Sequence, residues 1–135
     1  MSAPVEEAVL EAARGLVEAF GRHDTAAYFG CFAGEATFVF YTVDGPLRSR
    51  AEYAALWQRW EREDGFRVVS CGSVDQHVQV VDDRVAVVTH RVATRVATSA
   101  GEESLDERET IVFARQPDGR WLAVHEHLSP AAVAG

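Results

Sequence analysis

The chain has 135 residues, of which 47% are hydrophobic, and its formal net charge at pH 7 is −8. This composition excludes an intrinsically disordered chain, and the length indicates one folded domain, residues 1–135, that buries roughly two-thirds of its unfolded surface. All 13 basic residues are arginines without a basic cluster, so nucleic acid is not expected as a partner.

The first 35 residues predict a pair of helices. Apolar residues from Val9 to Phe20 recur at helical spacing, and Gly21 is suited to end this helix. Asp24 can cap a short second helix, which is expected to contain Phe32 and to end at Gly34. No segment approaches the roughly 20 apolar residues of a membrane span, and the acidic N-terminus is not typical of a signal peptide. A cytoplasmic protein is therefore expected.

Residues 36–42 predict a strand, and a third helix follows it. Ser49 and Glu52 have the spacing of a capping box, in which each side chain accepts a hydrogen bond from a free backbone N–H of the first turn. Gly65 is suited to end this helix, which carries one aromatic stripe formed by Tyr53, Trp57 and Trp60. Helical spacing alone makes such a stripe more often part of a core than a recognition surface.

The rest of the chain predicts four strands, at residues 66–81, 84–98, 104–115 and 120–128. The short turns between them require an antiparallel meander. The predicted fold class is therefore α+β, in the order αα-β-α-ββββ, with the helices covering one face of a curved sheet. In the last strand, side chains alternate, which places Leu122, Val124, Glu126 and Leu128 on one face and Trp121, Ala123, His125 and His127 on the other.

Three motifs carry a resemblance to a known superfamily. They are CFAGEAT at 31–37, ET-x-V-F at 109–113 and DGRW-x-x-VH-x-H-x-S at 118–129. With the order of elements, they resemble the nuclear transport factor 2 superfamily, which includes SnoaL-like cyclases and ketosteroid isomerases. The C-terminal motif is similar to the association domain of calcium/calmodulin-dependent protein kinase II. The resemblance implies a cystatin-like cone fold, a small-molecule pocket between the helices and the concave sheet face, and a homodimer formed through the convex face.

The resemblance transfers only part of a site. The general base of the isomerases would fall at Phe40 and their oxyanion-binding tyrosine near Leu16, and neither side chain can exchange or donate the required proton. Of three pocket arginines in the association domain, only Arg91 is matched. The implied alignment turns Arg91 inward with Thr89 and Arg95, turns Glu109 and Glu126 inward as well, and leaves His125 and His127 on the convex face.

Two functions follow from these residues. The first is a homodimer that binds a compact, partly apolar molecule, with Arg91, Glu126, Tyr41 and Trp57 as ligand contacts. The alternative is an isomerase, cyclase or dehydratase in which Glu126 or Glu109 is the general base. A structural ion pair between Arg91 and an inward glutamate is the competing explanation. No cofactor is expected, and no metal either, because His125 and His127 have only His90 or His77 as a distant third ligand.

Overall fold

The structure is a computed structural model that describes residues 2–131. The helices are α1 (Ser2–Gly21), α2 (Thr25–Phe29) and α3 (Arg50–Asp64). The strands are β1 (Phe32–Phe40), β2 (Arg67–Val80), β3 (Val85–Thr98), β4 (Gly101–Arg115) and β5 (Trp121–Pro130). The predicted α+β class and order of elements are confirmed.

The helix ends follow the predicted capping chemistry with one difference. Ser49 Oγ accepts a hydrogen bond from the backbone N–H of Glu52 at 3.1 Å. The Glu52 carboxylate accepts one from the backbone N–H of Arg48 at 3.2 Å, rather than from Ser49. Gly65 ends α3 in the left-handed conformation with φ 63°, which a residue without Cβ adopts at little cost.

The boundary between the second helix and the first strand was predicted too late. Helix α2 ends at Phe29, and β1 already begins at Phe32, so neither Phe32 nor Gly34 belongs to the helix. The Phe32 ring is fully buried and lies 5.1 Å from the ring of Phe38 in the same strand. Burial of this large ring on the inner face fixes the start of the strand, a tertiary effect that local spacing does not show.

The five strands form one sheet in the order β1-β5-β4-β3-β2. Strands β2 to β5 pair antiparallel, which confirms the meander, and β1 pairs parallel to β5 at one edge. The register places Glu109 opposite both His90 and Leu128, and Glu126 opposite Ile111. Because paired residues share a face, these side chains all point toward the helices.

A β-bulge in β5 changes which face its side chains occupy. Val112 pairs with His125, but Phe113 pairs with Ala123, so Val124 is an extra residue in the ladder. The prediction that Glu126 and Leu128 share the inner face is correct. The prediction that Leu122 and Val124 share it too is wrong, because the bulge reverses the alternation and turns Ala123 inward.

The core lies between the helices and the inner face of the sheet. Its fully buried members come from all layers and include Val9, Phe38, Trp57, Val88, Ile111 and Phe113. The opposite face, called the outer face below, carries exposed side chains that include Thr89, Arg91 and His127. Among the helices of residues 2–131, none has the length and hydropathy needed to cross a membrane.

The inner and outer positions of the strands should differ sharply in their effect on stability. Phe38→Ala removes a fully buried ring, and we expect it to lower the free energy of unfolding by about 3–5 kcal/mol. Val74→Ala, at a strand position that is 57% exposed, should change it by less than about 0.5 kcal/mol. Urea unfolding followed by circular dichroism measures both, and equal effects would contradict the assignment of the two faces.

Candidate functional site

A cavity of about 330 Å³ lies between the helices and the inner face of the sheet. This volume is at the lower end of the range of about 300–1,000 Å³ that is typical of small-molecule sites. All three helices and all five strands contribute to its wall. Seven aromatic side chains line it: Phe20, Tyr28, Phe40, Tyr53, Trp57, Trp60 and Phe66.

The cavity has an open end and a closed end. Thr42 and Asp64 line the open end and are exposed to solvent. Tyr28, Trp57 and Glu126 line the closed end and are each at most 3% exposed. A molecule that enters at Asp64 therefore loses contact with solvent as it approaches Glu126.

Two carboxyl groups meet at the closed end. Glu109 of β4 and Glu126 of β5 are 9% and 3% exposed, and their side chains are hydrogen-bonded to each other. Two carboxylates in contact cannot both be ionised in an apolar site, so the pair retains one proton. Sequence reasoning placed both side chains inward, and the structure brings them together.

A chain of hydrogen bonds holds Glu109 from the side of β3. His90 Nε2 donates to Glu109 Oε1 at 2.7 Å. On the other side of the imidazole, Nδ1 lies 2.6 Å from Ser73 Oγ, and Gln76 Nε2 donates to the same oxygen at 3.0 Å. Sequence analysis considered His90 only as a distant metal ligand, and its register opposite Glu109 gives it this different role.

The environments of the two carboxyl groups separate their proton affinities. Burial raises the pKa of Glu126 well above its ordinary value, and the nearby charge of Glu109 raises it further. Burial also raises the pKa of Glu109, but hydrogen bonds from Glu126 and His90 outweigh it and leave that pKa below its ordinary value. Glu126 is therefore the neutral acid of the pair and Glu109 the carboxylate.

Glu126 retains an unused acceptor. Its Oε2 atom is buried and has no hydrogen-bond partner among the described residues. Buried polar atoms in native proteins nearly always have a partner, and an unpaired one destabilises the fold by about 1–3 kcal/mol. This oxygen, on a residue that lines the cavity, is available to accept a hydrogen bond from a molecule in the cavity.

Two buried tyrosines stand near the carboxyl pair. The hydroxyl oxygens of Tyr28 and Tyr53 are 2.9 Å apart, and both residues line the cavity. Burial, followed by the charge of Glu126, raises the pKa of each phenol well above its ordinary value. Both hydroxyls therefore stay protonated, and because one of them donates to the other, one O–H remains available as a donor to the cavity.

A third acid, Glu107, lines the cavity two residues before Glu109 on the same face of β4. It is 4% exposed, and its Oε2 accepts a hydrogen bond from the Tyr41 hydroxyl at 2.6 Å. Burial raises the pKa of Glu107, although the bond from Tyr41 opposes this shift. Sequence analysis missed Glu107. The sequence feature that could have identified Glu107 is its alternation with Glu109, Ile111 and Phe113, which places two acids on the buried face of one strand.

The predicted inward orientation of Arg91, and with it of Thr89 and Arg95, is wrong. Arg91 lies on the outer face, where its side chain is 47% exposed and its Nε donates to Asp106 Oδ1 at 2.9 Å. The inner face of β3 carries the alternate residues Ala86, Val88, His90, Val92 and Thr94, all of which are buried. Because burying these apolar side chains is favourable and burying an unpaired guanidinium is not, Arg91 takes the solvent side.

The other predicted ligand contacts differ in their position. Trp57 lines the cavity and is also fully buried in the core, where its ring stacks on His23 at 4.9 Å. Tyr41 is 45% exposed and stands outside the cavity wall, so it reaches the site only through Glu107. His125 and His127 lie on the outer face as predicted, and His125 Nδ1 is 2.8 Å from Thr37 Oγ1. Within residues 2–131, no group of three or more His, Cys, Asp or Glu side chains is arranged to hold a metal ion.

Residues 9–133 match the model of a protein family described as the SnoaL-like domain. A search of curated proteins found no match. Among solved structures, the chain is similar to a nuclear transport factor 2-like superfamily protein from Salmonella enterica serovar Typhimurium. The TM-score is 0.84 and the sequence identity 18%, over 100% of this chain and 96% of that one.

Two further structures correspond to the predicted resemblance. A ketosteroid isomerase-like protein from Erwinia carotovora atroseptica has a TM-score of 0.78 and 15% identity, over 94% of this chain and 96% of that one. The association domain of the C. elegans calcium/calmodulin-dependent protein kinase II has a TM-score of 0.69 and 15% identity, over 93% and 95%. The predicted resemblance is confirmed, and at these identities it concerns the fold.

The buried acid should make stability depend on pH in a defined direction. The folded pKa of Glu126 lies above its ordinary value of 4.5. As pH rises above that value, the unfolded chain loses this proton first, so stability falls, by up to about 1.4 kcal/mol per pH unit, until the folded pKa is passed. Glu126→Gln cannot ionise but can still donate to Glu109. We therefore expect it to be more stable than the wild type at pH 7, with a smaller advantage at pH 5.

Chemical unfolding at both pH values measures this difference. Glu35→Gln, at an exposed position of β1, is the matched control and should show the same pH dependence as the wild type. If the difference between Glu126→Gln and the wild type were independent of pH, Glu126 would not be the protonated member of the pair.

Proposed function

The chain belongs to the SnoaL-like domain family, and we propose that it is an enzyme that transfers protons on a compact, mostly apolar molecule held in the cavity. One observation carries the proposal: a carboxylate and a neutral carboxylic acid lie side by side at the closed end of an aromatic cavity. Two titratable groups whose environments separate their pKa values are the usual arrangement for acid–base catalysis.

In this mechanism Glu109 is the general base. Its carboxylate removes a proton from a carbon atom next to a carbonyl group of the substrate. The hydrogen bond from His90 Nε2 fixes the orientation of the carboxylate before the substrate arrives, which makes His90 a positioning residue. The apolar wall excludes water that would otherwise solvate the carboxylate and weaken it as a base.

Glu126 is the general acid. As Glu109 takes the proton, it becomes neutral and no longer requires the hydrogen bond from Glu126, so the single O–H of Glu126 becomes available to the substrate oxygen on which negative charge develops. The Tyr28 and Tyr53 hydroxyls share one hydrogen bond, at 2.9 Å, which leaves one further O–H as a donor at the same end of the cavity. Return of the proton to a different carbon gives an isomerisation, and loss or attack of an oxygen group gives a dehydration or a ring closure.

A second candidate is reversible binding without turnover. It is supported by the seven aromatic side chains of the wall, which retain an apolar ligand whether or not it reacts. The two candidates differ in what they require of the carboxyl pair. Binding alone needs the shape of the pair, whereas catalysis needs its ability to exchange a proton.

We also propose that the protein forms a homodimer through the outer face of the sheet. The row of paired residues Val39, His127 and Thr110 crosses this face. The support for this proposal is the family resemblance, which implies association through this face, and Val39, which is 36% exposed on it, is a position at which a second copy would make contact.

Two probe reactions test the catalytic roles separately. Ring opening of 5-nitrobenzisoxazole requires only a base, which removes one C–H proton while the N–O bond breaks to give a coloured phenolate. Deuterium exchange at the carbon next to the carbonyl of cyclohexanone requires the base and also an acid. Glu109→Gln should slow both reactions by about 100-fold or more, the usual contribution of general acid–base catalysis. Glu126→Gln should slow the exchange by about as much but ring opening by less than tenfold.

Glu35→Gln is the control and should leave both rates unchanged. Circular dichroism establishes that each variant is folded. If the wild type accelerates neither reaction, or if Glu109→Gln retains the wild-type rates, the cavity does not act by proton transfer, and reversible binding becomes the better description.

The dimer is tested by light scattering after size-exclusion chromatography. We expect a mass of twice 14.8 kDa for the wild type and the monomer mass for Val39→Arg, because an unpaired charge opposes burial in an interface. Arg59→Ala, on the exposed surface of α3, is the control and should remain a dimer. A wild-type chain that elutes as a monomer would contradict this arrangement.

A further inference from the structure

The charged side chains that line the cavity are all acidic. They are Asp64 at the open end and Glu107, Glu109 and Glu126 farther in, and no arginine or histidine of the described residues belongs to the lining. The nearest guanidinium groups on β3, those of Arg91 and Arg95, are paired with acids on the outer face. A carboxylate or phosphate ligand would therefore enter a site without a cation to neutralise it, which opposes its binding.

Two acids of the cavity wall have oxygen atoms that can accept further hydrogen bonds. Glu126 is 3% exposed, and its Oε2 atom has no partner in the part of the chain that the structure describes. In the same residues, Glu107 has one side-chain donor, the Tyr41 hydroxyl, although a carboxylate can accept about four hydrogen bonds. The occupant that completes this site brings N–H or O–H donors, and it brings positive charge if it is to match buried acids.

The aromatic side chains of the cavity wall also favour a positively charged ligand. Trp57, Trp60 and Tyr53 of α3 line one side of the cavity, and Phe66 follows them. The face of an aromatic ring attracts a cation, most strongly for tryptophan. Aromatic rings combined with carboxylates are what a protonated amine requires, whereas a neutral apolar molecule requires only the rings.

We propose that the natural ligand of this cavity is a protonated amine with a compact apolar body. The inference rests on the proposed function in that it takes this ligand to be the substrate. Glu107, which the proton-transfer steps leave unused, supplies the charge that neutralises the ammonium group, and Glu126 Oε2 accepts one of its N–H bonds. Glu109 then remains free to act on a carbon atom of the apolar body.

Binding of such a ligand is linked to proton release. Burial raises the pKa of Glu107 in the empty cavity, and an ammonium group beside this acid favours its ionised form, whereas Glu126 stays the neutral member of its pair with Glu109. Affinity for an amine should therefore increase with pH until the amine itself loses its proton, whereas affinity for a neutral ligand should not. The titratable groups that act on Glu107 or Glu126 through charge or hydrogen bonds are Glu109, Glu103, Asp106, Tyr28, Tyr41, Tyr53 and Cys71, and His90 is bonded to Glu109.

The test compares three probes of nearly equal size by isothermal titration calorimetry: 2-phenylethylamine, 2-phenylethanol and phenylacetate. We expect the amine to bind at least tenfold more tightly than the alcohol at pH 7.5, and phenylacetate to bind least. Glu107→Gln should reduce the preference for the amine to less than threefold, and Glu35→Gln should preserve it. Equal affinities of amine and alcohol, no binding of the amine, or a preference for phenylacetate would overturn the proposal.

A measurement on the wild type does not depend on any variant folding. The amine should bind more tightly at pH 7.5 than at pH 5.5, with proton release seen as a dependence of the binding heat on the buffer, and the alcohol should show neither effect. An amine affinity that does not change with pH contradicts the proposal. If the wild type shows no preference for the amine but still opens the ring of 5-nitrobenzisoxazole, the proposed ligand class is wrong and the proposed proton transfer stands. If the wild type prefers the amine but accelerates neither probe reaction, the proposed catalysis is wrong and the proposed ligand class stands.

Discussion

The hydrogen-bonded pair of Glu109 and Glu126 is the constraint on which the rest of the site depends. A carboxylate buried among apolar side chains is strongly unfavourable unless donors surround it. Here one donor is the neutral partner acid, and the other is His90, which is itself held by Ser73. The register of β3 against β4 therefore keeps His90 beside the Glu109 carboxylate. A shift of register by one residue would leave this carboxylate exposed to solvent or buried without its donor.

The bulge at Val124 gives β5 two functions that a regular strand could not combine. Before the bulge, Trp121 and Ala123 pack against the core, and after it Glu126 faces the cavity. Without the extra residue, burial of Ala123 would turn Glu126 to the outer face, since alternation has a period of two. Because His125 and His127 follow the same alternation, the bulge also determines which side chains lie on the outer face, through which we propose that the dimer forms.

Local patterns in the sequence predicted the fold well and the site in part. The capping residues Asp24 and Ser49 and the turn at Pro117 to Gly119 give their elements correctly, since each depends on neighbours in the chain. Glu109 and Glu126 were placed inward, but Arg91 was turned inward by an alignment to distant relatives. The alternation of Val88 with Val92 already opposed that placement, and the donor that Glu109 requires is the adjacent residue, His90. The bulge and the strand register could not be predicted from local sequence patterns, because they depend on pairing between strands.

The carboxyl pair also shows that this region is not arranged for maximal stability. A carboxyl group with a raised pKa lowers the free energy of unfolding at neutral pH relative to an uncharged side chain of the same shape. Glu126 is 3% exposed, and its Oε2 atom has no hydrogen-bond partner within residues 2–131. Groups of this kind persist where they act on a ligand. The unfavourable burial of Glu126 is thus an argument for chemistry at the closed end of the cavity, and one that does not depend on resemblance to any other protein.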